Sequence, residues 1–155
     1  MAFRVSHKLP GSMLSTAKVV VSDPASCGTA GQDIKIKKPA GSVVDAVFVY
    51  ASKEIVLDTT TDLKFKLGTA ADDDYHVESF ILLDGSDGTN AKKLAKGALY
   101  KMTIANSDYS PGTDTSDEAV VSDDAGDVIA NLSTAHTTGT ESAGEIEIHV
   151  QFRHV

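Results

Sequence analysis

Residues 144–155 read Gly-Glu-Ile-Glu-Ile-His-Val-Gln-Phe-Arg-His-Val. Ile146, Ile148, Val150 and Phe152 take every second position, and Glu145, Glu147, His149, Gln151 and Arg153 take the positions between. Side chains alternate faces along a strand, so the run has one dry face and one wet face. On a helix the same apolar residues would scatter around the axis. The stretch is a half-buried strand, and it sets the fold class.

The two-residue period recurs upstream. Ile34 and Ile36 alternate with Asp33, Lys35 and Lys37, and Pro39 ends that run. Leu63, Phe65 and Leu67 alternate with Asp62, Lys64 and Lys66, and Gly68 follows. Ala98, Tyr100, Met102 and Ile104 alternate with Leu99, Lys101 and Thr103. Shorter strand candidates are 17–22, 54–58, 76–82 and 128–132. The segment 43–51, Val-Val-Asp-Ala-Val-Phe-Val-Tyr-Ala, is apolar on both faces apart from Asp45, which suits a central strand. Strict alternation puts Val44, Ala46, Phe48 and Tyr50 on one side and Val43, Val47 and Val49 on the other. One set fills the core. The second needs a cover, either the protein's own loops and N-terminal arm or a partner subunit. The expected partner-facing residues are Val43, Val47 and Val49, with Phe3, Arg4 and Leu9 from the N-terminal segment.

The connections are rich in Gly, Asp, Ser and Thr, as in 26–32, 70–74, 84–90, 108–117 and 123–127. Gly supplies positive φ and Asp bonds to its own backbone, so these are turns and loops. About eight or nine strands joined this way predict a single all-β domain, a β-sandwich or jelly-roll-like fold. Residues 16–155 form that domain, and residues 1–15 are an N-terminal arm or a first strand. The one helix candidate is a turn or so at 90–96, Asn-Ala-Lys-Lys-Leu-Ala-Lys.

The balance of 14 Lys+Arg against 22 Asp+Glu, over 155 residues, gives a net charge of −8. An acidic chain repels phosphate backbones, so no nucleic-acid partner is expected. No apolar run approaches the roughly 20 residues of a membrane helix, so no membrane partner is expected. The first 13 residues lack the apolar core of a signal peptide. One cysteine forms no internal disulfide, so the fold does not rely on oxidation.

The residue types that carry chemistry are present without the spacing that chemistry needs. Asp72, Asp73 and Asp74 are adjacent, Asp84 and Asp87 sit in Asp-Gly-Ser-Asp-Gly, and Asp123, Asp124 and Asp127 sit in Asp-Asp-Ala-Gly-Asp. None follows a calcium-loop pattern, so they are weighed as soluble turn residues against a weak calcium site. His7, His76, His136, His149 and His154 include no His-x-His pair, and no metal or other cofactor is expected. Cys27 lies in a Ser-Cys-Gly-Thr-Ala-Gly loop, and no neighbouring motif supports it as a nucleophile. No Gly-x-Ser-x-Gly elbow or phosphate loop occurs, no catalytic residue is assigned, and an enzyme is not expected. Tyr75 and Tyr109 lie in loops and are the tyrosines placed to stack on a sugar, whereas Tyr50 and Tyr100 fall within strands.

Ile34-Lys-Ile-Lys-Lys-Pro-Ala-Gly-Ser-Val-Val-Asp-Ala-Val-Phe-Val-Tyr, then Leu63-Lys-Phe-Lys-Leu-Gly-Thr-Ala, then the closing 140–155 run, resemble small all-β virion proteins of tailed bacteriophages. The likeness covers residues 33 to 155 loosely. Within such virions a chain of this size is similar to a head decoration or cement protein. The resemblance implies a homo-oligomer, most simply a trimer, bound to the major capsid protein on the outside of the head and stabilising it. A neck, tail or fibre component, or a carbohydrate-binding adhesion module, is the alternative. The resemblance carries no functional residue.

Overall fold

The computed structural model describes residues 2–8, 14–57, 61–85, 92–105, 126–135 and 144–154, and within 2–8 the backbone and the Arg4 side chain. Among these are eleven strands: β1 (Ala2–Lys8), β2 (Leu14–Ser22), β3 (Gln32–Lys37), β4 (Ser42–Lys53), β5 (Ile55–Leu57), β6 (Leu63–Gly68), β7 (Val77–Leu83), β8 (Lys92–Leu94), β9 (Leu99–Lys101), β10 (Asp127–Thr134) and β11 (Glu145–His154). A five-stranded sheet runs β1-β2-β11-β4-β9, a four-stranded sheet runs β3-β10-β6-β7, and β5 pairs with β8. The pairings are antiparallel. The fold is all-β and sandwich-like, as the alternation predicts.

The C-terminal strand is the organising element. β11 lies between β2 and β4, with Ile148 opposite Val19 on one side and Val49 on the other. Ile146, Ile148, Val150 and Phe152 are fully buried. They share one core with Ile34 and Ile36 of β3, Val128, Ala130 and Leu132 of β10, and Leu63, Phe65 and Leu67 of β6. Each of these rows is the apolar half of an alternating run, so the two sheets face each other through their predicted dry sides.

Segment 90–96 departs from expectation. Residues 92–94 are the strand β8 rather than a helical turn, and Leu94, 4% exposed, packs into the core opposite Ile55. A single buried leucine on a three-residue ladder outweighs the helix propensity of Ala and Lys. The run 98–104 is shorter than its pattern, being strand only over Leu99–Lys101, although Met102 continues inward to 3% exposure. Residues 2–8 pair along their full length with β2 and form the edge of the five-stranded sheet.

The larger departure is inside β4. Phe152 pairs with Val44 and Gln151 with Ala46, which leaves Asp45 as an extra residue, a β-bulge. Arg153 Nη2 meets Asp45 Oδ1 at 2.5 Å and ties the bulge to β11. Beyond it the faces exchange. Val44, Val47, Val49 and Ala51 all belong to the core, while Phe48 and Tyr50 turn to the outer face. A second irregularity lies at Ser52, whose hydroxyl donates to Glu145 Oε1 at 2.8 Å.

Candidate docking face and a second cleft

The bulge decides which apolar residues are available to a partner. Val47 and Val49 were expected on a partner-facing row; at 0% and 1% exposure they are committed to the domain's own core. Val43 is 6% exposed and lies outside that core cluster. Arg4 is exposed and pairs with Val20, placing it in the outer row of the sheet. The side chain of Phe3 and all of Leu9 lie outside the described residues.

The outer face of the five-stranded sheet carries a different apolar set. Phe48 and Tyr50 stand partly exposed on β4, and Leu99 on β9, directly opposite Tyr50, is 64% exposed. With Thr16, His149 and Gln151 they line a shallow concavity of about 400 Å³. Polar groups on β2 and β11 flank this patch and are tied together. Lys18 Nζ donates to Glu147 Oε1 at 2.8 Å, and His149 Nε2 lies 3.1 Å from Glu147 Oε2. Partial burial alone would raise the Glu147 pKa; hydrogen bonds and charge from Lys18 and His149 outweigh it and hold the carboxyl below its ordinary value. The Ser52 hydroxyl, and after it Lys53 at 3.1 Å, lower the Glu145 pKa.

A second concavity, of about 640 Å³, opens on the side of the four-stranded sheet. One wall is the β6–β7 connection. Thr69 Oγ1 accepts from the Ala71 and Asp72 amides at 3.3 and 3.2 Å, and the Thr69 amide donates to Asp72 O at 2.7 Å. That closes a tight hydroxyl-capped turn. The turn folds back onto Gly68, where a Cβ would collide with the backbone of Asp72 and Asp73. Glycine at 68 is thus required by close approach. The other wall is the start of β10 with Lys35 and Lys38; Ile129 pairs with Lys35 on one side and Gly68 on the other. Tyr75 lines the cleft and meets the His76 ring edge-on, centroids 5.0 Å apart.

No protein-family model and no curated protein matches the chain. A solved structure does. A chain of the cyanophage Pam1 capsid asymmetric unit aligns with 97% of this chain and 86% of its own length, at 14% identity and a TM-score of 0.47. The likeness decides nothing about this chain's role.

The remaining sequence candidates divide between these surfaces and elsewhere. The carboxylates of Asp72, Asp73 and Asp74 come within 4.8 Å of one another on the surface, and Lys66 bonds Asp73. A hydrogen bond with Asp72, and then the charges of Asp72 and Asp73, raise the Asp74 pKa. Asp127 lines the 640 Å³ cleft and Asp84 is exposed, whereas Asp87, Asp123 and Asp124 lie outside the described residues. His76 is buried, and His149 and His154 sit on β11 five positions apart. His136 and the His7 side chain lie outside the described residues. Cys27 is buried, which pushes its thiol up to about 11, so it is protonated at neutral pH. Tyr100 donates its hydroxyl to Leu82 O at 3.1 Å and packs against the core. Tyr109 lies outside the described residues. Sequence alternation missed Phe48, Tyr50 and Leu99 as a surface set, because the polar interruption at Asp45 does not by itself show that a residue is extra to the ladder there.

Proposed function

We propose that the chain is a structural protein of a phage virion, a head decoration or cement protein with no catalytic role. It docks through the outer face of its five-stranded sheet. The observation that carries the reading is the Phe48–Tyr50–Leu99 patch: three large apolar or aromatic side chains together outside the core, flanked on the β11 and β2 side by His149, Gln151, Glu147 and Lys18. Aromatic anchors next to polar residues are the usual composition of a protein interface. The virion setting comes from the strand-and-turn resemblance at residues 33–155. In that setting the chain is a homo-oligomer, most simply a trimer, seated on the major capsid protein at the outside of the head.

Two measurements test this. Light scattering on the purified protein should give a mass three times the 16.3 kDa of one chain. Mixed with undecorated heads of the parent phage, the protein should co-sediment, and Leu99→Asp should leave it in the supernatant. Leu99 is exposed enough that the substitution spares the fold. A clean monomer refutes self-assembly. Wild-type protein that stays in the supernatant, or Leu99→Asp protein that pellets equally well, refutes docking through this face.

A further inference from the structure

We propose that the cleft between the β6–β7 turn and the start of β10 is a binding site for a neutral sugar ring, as the end or an internal unit of a glycan. Its volume, about 640 Å³, falls within the range of roughly 300–1,000 Å³ typical of small-ligand sites. Its lining is amphipathic in the way a pyranose is. Ala70, Ala71 and Ile129 give an aliphatic surface and Tyr75 an aromatic one, matching the C–H faces of the ring. Asp72 and Asp127 accept and Lys35 donates, matching hydroxyls that do both. The lining itself holds two carboxylates and two ammonium groups, and beside it Lys66 pairs with Asp73, so charges of both signs are mixed rather than gathered into a phosphate or metal site. Among the described residues the walls are braced by hydrogen bonds. Gly68 and the Thr69 cap set the turn, the His76 amide bonds Leu67 O at 2.9 Å, and β10 is held by ladders to β3 and β6. A preformed wall lowers the ordering cost of binding. Lys35 and Ile129 lie on the four-stranded sheet, while the docking patch lies on the outer face of the other sheet. Occupying one leaves the other free.

The test is a backbone amide shift titration of the wild-type protein with four neutral hexasaccharides in turn: maltohexaose, cellohexaose, laminarihexaose and mannohexaose. Inorganic phosphate and calcium chloride serve as charged controls, each taken to about 10 mM, since single-ring sites are commonly millimolar. At least one hexasaccharide should shift the amides of 69–72, 75 and 127–129 saturably and leave 46–50 and 147–151 unmoved. Ala71→Trp, which fills the cleft from an exposed position, should weaken that binding at least tenfold. Tyr75→Phe should keep most of it and Tyr75→Ala should lose it, with thermal melts confirming that each variant folds. No shift from any hexasaccharide overturns the proposal. So does a response at these amides to phosphate or calcium alone, or a saccharide response that Ala71→Trp leaves intact. Co-sedimentation of Ala71→Trp with phage heads should match the wild type, so failure of the sugar site and failure of the docking face are read separately.

Discussion

Replacing Val47 with Ala and Phe48 with Thr, one at a time, tests the bulge that places the docking face. Val47 is 0% exposed and belongs to the core, whereas Phe48 lies on the outer face beside the exposed Leu99. Val47→Ala removes two buried carbons. At ~0.8 kcal/mol each that is ~1.6 kcal/mol of transfer free energy. The cavity left in a close-packed sheet interface brings the total to about 2–3 kcal/mol. Phe48→Thr deletes a larger side chain, but one already partly wet, and threonine keeps the strand preference; the expected cost is about 1 kcal/mol. The smaller deletion should therefore hurt more. The chain has no Trp, so urea unfolding is followed by far-ultraviolet circular dichroism. With a slope on the order of 2 kcal/mol/M, the midpoint should fall by about 1–1.5 M for Val47→Ala and about 0.5 M for Phe48→Thr. Without the bulge, Phe48 would share the buried side with Val44, and its truncation would cost about 3–5 kcal/mol. A larger midpoint loss for Phe48→Thr than for Val47→Ala would refute the register and remove the basis for the docking patch.

Gly68→Ala should destabilise the protein by about 2–4 kcal/mol, because the added Cβ meets fixed backbone at Asp72 and Asp73 rather than a side chain that can swing away; a melt within 2 °C of the wild type, which corresponds to less than about 1 kcal/mol, would show that the turn yields. The lowered pKa values of Glu145 and Glu147 add stability that is fully present above the unfolded-state value of 4.5 and is lost as pH falls through the folded-state values. Lys18→Met should raise the Glu147 pKa, seen by carbon-detected titration of its carboxyl, and move the acid unfolding limb to higher pH; an unmoved titration would place the control elsewhere. Asp74 has the opposite sign: its raised pKa means stability present below the unfolded value and lost as pH rises through the folded one, so Asp74→Asn should gain at pH 7 and not at pH 3. Melts in EDTA and in millimolar calcium should coincide, and a calcium-dependent rise of several degrees would make Asp72–Asp74 a cation site.

Much of the core was legible because its signal is local. Ile146, Ile148, Val150 and Phe152 are buried on one side of β11, as their spacing requires, and the rows at Ile34–Ile36 and Leu63–Leu67 meet them from the second sheet. The surfaces depend on events that residue order does not encode. One extra residue at Asp45 exchanges the faces of β4, turning Val47 and Val49 inward and Phe48 and Tyr50 outward. Period-2 reading carries such an error through the rest of a strand, since a one-residue slip inverts every later side chain. Asp45 was the one polar interruption in an apolar run, and its ion pair with Arg153 now accounts for it. The second cleft was half legible. Tyr75 stood out as a loop aromatic beside carboxylates, but Asp127 and Lys35 lie far from it in sequence. They reach it because β10 pairs with both β3 and β6, bringing Lys35, Ile129 and Gly68 into one row. Glycine at 68 then lets the Tyr75 turn close over that row. The two candidate surfaces thus arise from different causes, a bulge that exchanges the faces of β4 and a pairing that gathers distant residues onto the four-stranded sheet. Because they fall on different sheets, the proposed docking face and the proposed sugar cleft can be perturbed separately.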